Sequence, residues 1–132
     1  MALPNGSGGY QVVDGNVGEA QLFVQGAPTS ITAAATMTAD QLANGLFVFD
    51  GSAGNLTLPT VANLEIAVSS AAKVNAAFDF FVVNIDGGTD DVTIATATGW
   101  TLVGTMQVDN ATSGHFRARK TGDGTWTCYR IS

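Results

Sequence analysis

Charge is what this chain has least of. Only 12% of its 132 residues are Asp, Glu, Lys or Arg, about half the roughly 25% usual in a globular protein. Ala, Thr, Gly, Val and Asn fill the space. Such a composition fits a soluble β domain dressed in Thr and Asn. It also fits an exterior that lies against other subunits, because charged side chains are depleted at the centres of interfaces. The sequence favours the second reading.

The groups that do covalent work are nearly missing. Cys128 is the only cysteine, so no intrachain disulfide can form and the fold must stand on packing or oligomerisation. It sits in Thr125-Trp126-Thr127-Cys128-Tyr129-Arg130-Ile131, with no base beside it, and reads as a packed thiol. His115 is the sole histidine, which excludes a His-based metal cage. A Ser-His-Asp triad would have to use it, yet no G-x-S-x-G elbow exists anywhere in the chain. No Gly-Lys-Ser/Thr phosphate loop is present, and Gly6–Gly9 does not follow a strand that opens a helix.

Asp86-Gly87-Gly88-Thr89-Asp90-Asp91 gathers hard oxygen ligands. It lacks the D-x-D-x-D-G order and the bidentate Glu of an EF-hand, and Asp and Gly are the residues a turn requires. The expectation is therefore no enzyme, no cofactor and no metal. No apolar run reaches 18 residues, so a membrane partner is not expected. The start, Met1-Ala2-Leu3-Pro4-Asn5-Gly6, lacks the basic and apolar regions of a signal peptide. The sequence thus reads as a chain that stays in the cell that makes it or leaves as part of a particle. Asn55-Leu56-Thr57 and Asn110-Ala111-Thr112 match glycosylation sequons, which carry little weight without that signal.

The charge that exists is unevenly placed. The net charge is −6 with a sequence pI near 4.2, which argues against general affinity for nucleic acid. Residues 1–110 hold ten acids and one base, Lys73. Residues 111–132 hold Arg117, Arg119, Lys120 and Arg130 against one acid. Either the basic end of one subunit meets the acidic part of a neighbour, or Arg117 and Arg119 are the solvent-facing residues of an alternating strand.

Residues 1–9 are rich in Gly, Pro and Ser and read as an irregular tail or an arm that orders on a partner. Tyr10–Asp14 and Ala20–Gln25 are short strand candidates, and Ser30–Thr36 an edge strand. Thr38-Ala39-Asp40-Gln41 matches a capping box, and Asn44-Gly45 stops the helix after about one turn. Leu46–Asp50 and Leu56–Leu58 read as strands, closed by Pro59. Over residues 60–73, Val61, Leu64, Val68 and Ala71 form a helical stripe with Thr60 as N-cap.

From Ala76 the period becomes two, and both faces of Phe78–Ile85 are largely apolar. Such a strand belongs at the centre of a sheet or at an interface. Asp91–Thr96 is expected to pair back on it as a hairpin, and Trp100–Val103, Thr105–Val108, Gly114–Lys120 and Thr125–Ile131 complete the set. The last two are joined by Thr121-Gly122-Asp123-Gly124, a hairpin signal. Many short strands, Gly-rich turns and one or two short helices predict a mainly β chain, a β-sandwich or jelly-roll-like domain. The aromatics cluster on strand positions and read as core, with Trp100, beside Gly99 at a strand start, the one to watch for an exposed role.

The order Met37-Thr38-Ala39-Asp40-Gln41-Leu42, Gly45-Leu46-Phe47-Val48, Asn55-Leu56-Thr57-Leu58-Pro59, Phe78-Asp79-Phe80, Val92-Thr93-Ile94, Gly99-Trp100-Thr101-Leu102-Val103-Gly104, Phe116-Arg117-Ala118-Arg119 resembles a recurrent domain of tailed-phage structural proteins, especially capsid decoration (cement) proteins. The likeness spans roughly residues 30–132 and rests on Thr, Leu and Gly patterns with no catalytic signature. It implies a homotrimer on the outer capsid surface of the virion that bridges major capsid protein subunits and stabilises the shell, with no direct contact to nucleic acid. On that view residues 1–25 form an arm contacting the capsid through Leu3, Pro4, Tyr10, Val12 and Val13, and residues 26–132 form the sandwich. Phe81, Val83, Arg117 and Arg119 then lie at the subunit interface. The alternative is a receptor- or carbohydrate-binding module of a tail fibre or spike, using an exposed Trp100.

Overall fold

Alternation of apolar and polar residues builds the strands, and two capped helical turns carry the chain between them. The computed structural model describes residues 3–4, 10–11, 22–68 and 73–132. In chain order the strands are β1 (Leu3–Pro4), β2 (Tyr10–Gln11), β3 (Thr29–Ile31), β4 (Ala35–Thr36), β5 (Leu46–Phe49), β6 (Gly54–Thr57), β7 (Ala77–Asn84), β8 (Val92–Ala95), β9 (Trp100–Val103), β10 (Gln107–Val108), β11 (Ser113–Gly122) and β12 (Thr125–Arg130). The helices α1 (Ala39–Asn44) and α2 (Val61–Ala67) follow β4 and β6.

The expected sandwich is present. A six-stranded sheet, ordered β3-β5-β7-β11-β12-β9, and a four-stranded sheet, ordered β10-β8-β6-β4, enclose one core, while β1 and β2 form a separate two-stranded ladder. The pairing was not legible in advance. β3, β5 and β7 run parallel in the larger sheet, and β4, β6 and β8 run parallel in the smaller one. The chain therefore winds three times from the large sheet to the small one and back, stacking coil on coil. Parallel neighbours need long crossovers, and α1 and α2 lie in them.

Several expectations are corrected by this winding. Ser30–Thr36 is not one strand but β3 and β4, split by a corner at Thr32–Ala34. Both halves do lie at sheet edges. Asp91–Thr96 does not pair back on β7: β8 lies in the other sheet, between β6 and β10. A turn rich in Asp and Gly marks a reversal of direction but does not say which sheet the chain enters. Residues 22–25 form no strand, and Leu3–Pro4 does take part in a ladder, with Tyr10–Gln11.

The helix signals are realised. Thr38 and Gln41 form the reciprocal capping box, and Gly45 closes α1 at φ +81°, a conformation that suits glycine. Thr60 caps α2, whose Val61 and Leu64 are buried. The helix ends at Ala67 and not at residue 73, and residues 69–72 lie outside the described set. Helix and sheet meet through Lys120, which is 5% exposed. Its ammonium donates to Glu65 Oε1, which also accepts from Trp126 Nε1 at 3.1 Å. These two donors hold the Glu65 carboxyl below its usual pKa.

The core is aromatic on the large-sheet side. Phe80 stacks on Phe116 at 5.1 Å, Phe47 meets Phe80 edge-on at 6.5 Å, and Trp126 packs against Trp100 and Phe78. Leu56, Val92, Ile94 and Val108 face them from the small sheet. Buried Asn84 pins a corner of the third coil, donating to Asp90 O and Val108 O and accepting from Asp86 N.

Candidate interaction surface

The two-faced character of β7 is the structural key. Phe80, Val82 and Asn84 point into the core, and Asp79, Phe81 and Val83 point outward. Register carries the outward row across the sheet. Leu46 pairs with Phe81 and Val48 with Val83 on one side; His115 pairs with Phe81 and Arg117 with Asp79 on the other. Arg117 in turn pairs with Tyr129, and Tyr129 with Val103. The outer face of the six-stranded sheet thus carries an apolar centre at Leu46, Val48, Phe81 and Val83. Phe81 is 42% exposed, and Ile85, Val103 and Ile131 are exposed around it. Apolar side chains, partly or fully exposed and gathered on one sheet face, make it a candidate interaction surface.

The four residues expected at a subunit interface, Phe81, Val83, Arg117 and Arg119, all lie on this one face. Asp79 accepts from Arg117 through both carboxylate oxygens, at 2.6 and 3.0 Å, and meets His115 Nε2 at 2.9 Å. Arg117 chiefly, then His115, holds the Asp79 carboxyl down at about 2. The imidazole also stacks on Phe81 at 4.5 Å. Arg119 donates to Tyr129 Oη and Asn75 Oδ1, with no carboxylate in reach among the described residues. Leu46, Val48, Asp79 and His115 were missed by the sequence reading, though the alternation Leu46-Phe47-Val48-Phe49 carried the signal for the first two.

The polar groups of this face are engaged with one another. The Asp79–His115 pair faces Arg117 and Phe81, and no hydroxyl or thiol donates to the imidazole among the described residues. Cys128 is buried and its thiol is pushed up to about 12 by that burial. Asp86 spends its carboxylate on the turn, accepting from the N–H groups of Gly88 and Asp90. No three His, Cys, Asp or Glu side chains converge as a metal site among the described residues. A cleft of about 650 Å³ opens beside the starts of both helices, lined by uncharged residues including Thr36, Thr57, Leu58 and Asn63.

Trp100 is a correction. It is 8% exposed, its indole N–H donates to Pro59 O at 2.7 Å, and it packs on Trp126. A ring that must satisfy its N–H inside the core is no sugar-stacking platform. Of the expected arm contacts, Leu3, Pro4 and Tyr10 fall in the β1–β2 ladder, and Val12 and Val13 lie outside the described residues. Leu22, Phe23 and Val24 are 92%, 84% and 99% exposed. The chain is then tied down, with Gln25 Nε2 donating to Asn44 O and Asn44 Nδ2 to Ala27 O. No helix among the described residues is long and apolar enough to cross a membrane. Compared with known proteins, the chain matches no protein-family model, no curated protein and no solved structure.

Proposed function

We propose that this chain is a structural component of a phage virion, a capsid decoration protein that self-associates and stabilises the shell by binding major capsid protein. One observation carries the self-association: the outer face of the six-stranded sheet has an apolar, half-exposed centre at Phe81 on a strand paired on both sides. Charge-poor composition agrees with a molecule that works by contact. The capsid setting, and the bridging of capsid subunits by a trimer, come from the resemblance of residues 30–132 to decoration proteins. The exposed run Leu22-Phe23-Val24, preceding the tether at Gln25, supports an arm at the N-terminal side that engages a partner.

The test is co-sedimentation of the purified chain with undecorated shells of the phage that carries it, followed by heating. Saturable binding and a raised shell-opening temperature are expected. Neither effect at micromolar protein would reject the reading. The fibre-module alternative loses its principal residue with Trp100 in the core.

A further inference from the structure

The face that carries Phe81 is polar along its length. On β7 the outward residues run Ala77, Asp79, Phe81, Val83, with Ile85 next beyond the strand. Arg119 stands beside Ala77, and Arg117 beside Asp79. At the opposite end, Phe49 pairs with Asn84, so the following residues, exposed Asp50 and exposed Ile85, are neighbours on the outward side. Phe81 lies midway. Eight residues separate the Arg119 level from the Asp50 level, about 26 Å at ~3.3 Å per residue. Arg119 is one strand to one side of β7, and Asp50 one strand to the other.

Arg117 is already neutralised by Asp79. Arg119 and Asp50 are not: neither has a salt-bridge partner among the described residues. A cation and an anion placed at equal distances on opposite sides of Phe81 can pair reciprocally between two copies; between them the face carries the Asp79–Arg117–His115 cluster toward Arg119, and Leu46, Val48 and Val83 level with Phe81 and toward Asp50. A twofold axis lying in the interface and passing over Phe81 sets Arg119 of each copy against Asp50 of the other. The offset of one strand to each side tilts that axis by about 20° from the perpendicular to the strands, given strands roughly 4.8 Å apart. The two sheets then cross at about 40°, near the angle at which aligned sheets pack face to face.

We infer that the partner of this face is a second copy of the same chain, joined in a twofold pair with Phe81 at its centre and two reciprocal Arg119–Asp50 ion pairs at its ends. The inference rests on the reading of this face as a self-association surface. It differs from the threefold arrangement implied by the resemblance, because an axis of odd order does not bring the two ends of the face into register.

Sedimentation velocity at micromolar concentration tests it. The unmodified chain is expected at about twice 13.5 kDa. Arg119→Asp and Asp50→Arg, each alone, place like charges at both ends of the pair and weaken association at least about tenfold. Mixed one to one, the two variants restore both ion pairs and recover the dimer. A ring of three cannot satisfy every contact from such a mixture. Thermal melts of each variant confirm that the fold persists, with Arg119→Gln and Asp50→Asn as milder substitutes if it does not. Loss of association in Phe81→Asp without recovery in the mixture would overturn the twofold pairing alone. Undiminished association in Phe81→Asp would overturn the choice of face, and with it the reading beneath.

Discussion

Replacing Gly51 by alanine should separate two stacked coils of the domain. Gly51 follows β5 at the corner of the second coil and lies directly over the corner of the first. A Cβ at this position would sit 1.9 Å from Thr32 O and 2.4 Å from Thr32 C. Ordinary carbon–oxygen contact needs about 3.3 Å, so the corners must part by roughly 1.4 Å. Both atoms are backbone and cannot swing aside. The nearest bond across the corner, Asp50 N–H to Ile31 O at 2.9 Å, would then stretch to about 4 Å, beyond hydrogen-bonding range.

Overpacking costs about 1–3 kcal/mol and the lost bond about 1 kcal/mol. Reduced freedom of the unfolded chain returns about 0.4–1 kcal/mol. The net expectation is a loss of about 2 kcal/mol, or roughly 8 °C in Tm for a domain of this size. The control is Gly87→Ala, in the corresponding connection of the third coil, where an added Cβ meets nothing within 4 Å. That substitution should be neutral or gain up to about 1 kcal/mol. The assay is thermal and urea unfolding followed by circular dichroism. A Gly51→Ala protein melting within about 2 °C of the parent would refute the coil-on-coil contact.

Other outcomes follow from the same geometry. Asp79→Asn should cost about 1 kcal/mol at neutral pH, after discounting the pair for its exposure to water. The folded-state carboxyl of Asp79 is depressed from 3.8 to about 2, so its contribution is full above the unfolded value and lost as pH falls through about 2. Melting curves of parent and variant should therefore differ at pH 6 and converge near pH 2; a gap that persists in acid would contradict this. Cys128, with its thiol at about 12, should resist a thiol reagent at pH 8 until the protein unfolds, and prompt labelling of the native chain would contradict its burial. Phe80→Ala should cost about 3–5 kcal/mol through loss of its packing against Phe47 and Phe116, measured by urea unfolding; a loss under about 1 kcal/mol would mean that the ring is not part of the core. Thr38→Ala should cost about 1 kcal/mol by removing one arm of the capping box, and an unchanged melt would show that the cap contributes nothing.

Local signals were legible where local chemistry decides the outcome. The Thr38–Gln41 box, the Gly45 stop and the Thr60 cap each involve residues within a turn of one another, so sequence spacing alone specifies them. The two-faced apolar run of β7 correctly pointed to a central strand, and Phe81, Val83, Arg117 and Arg119 do share a face. What spacing could not supply was partnership. Ser30–Thr36 reads as one strand between breaks, yet its middle turns a corner so that Ile31 and Ala35 pair in different sheets. β8 follows a hairpin-like turn but finds its partner in β6, 38 positions earlier at Gly54–Val92. Trp100 beside Gly99 looked exposed because a strand start often is. The carbonyl of Pro59 that satisfies its indole comes from a segment 41 residues away.

One strand links the two halves of the large sheet. β11 runs between β7 and β12, and β9 is joined to that sheet only through β12. Until β11 docks, β7 has a bare edge, and β12 and β9 have no link to β3, β5 and β7. His115, Arg117 and Arg119 reach their positions beside β7 in that one step. A chain in which β11 has yet to dock presents Phe81 without its cationic neighbours. If the outer face of this sheet is where copies meet, closing the sheet must come before association.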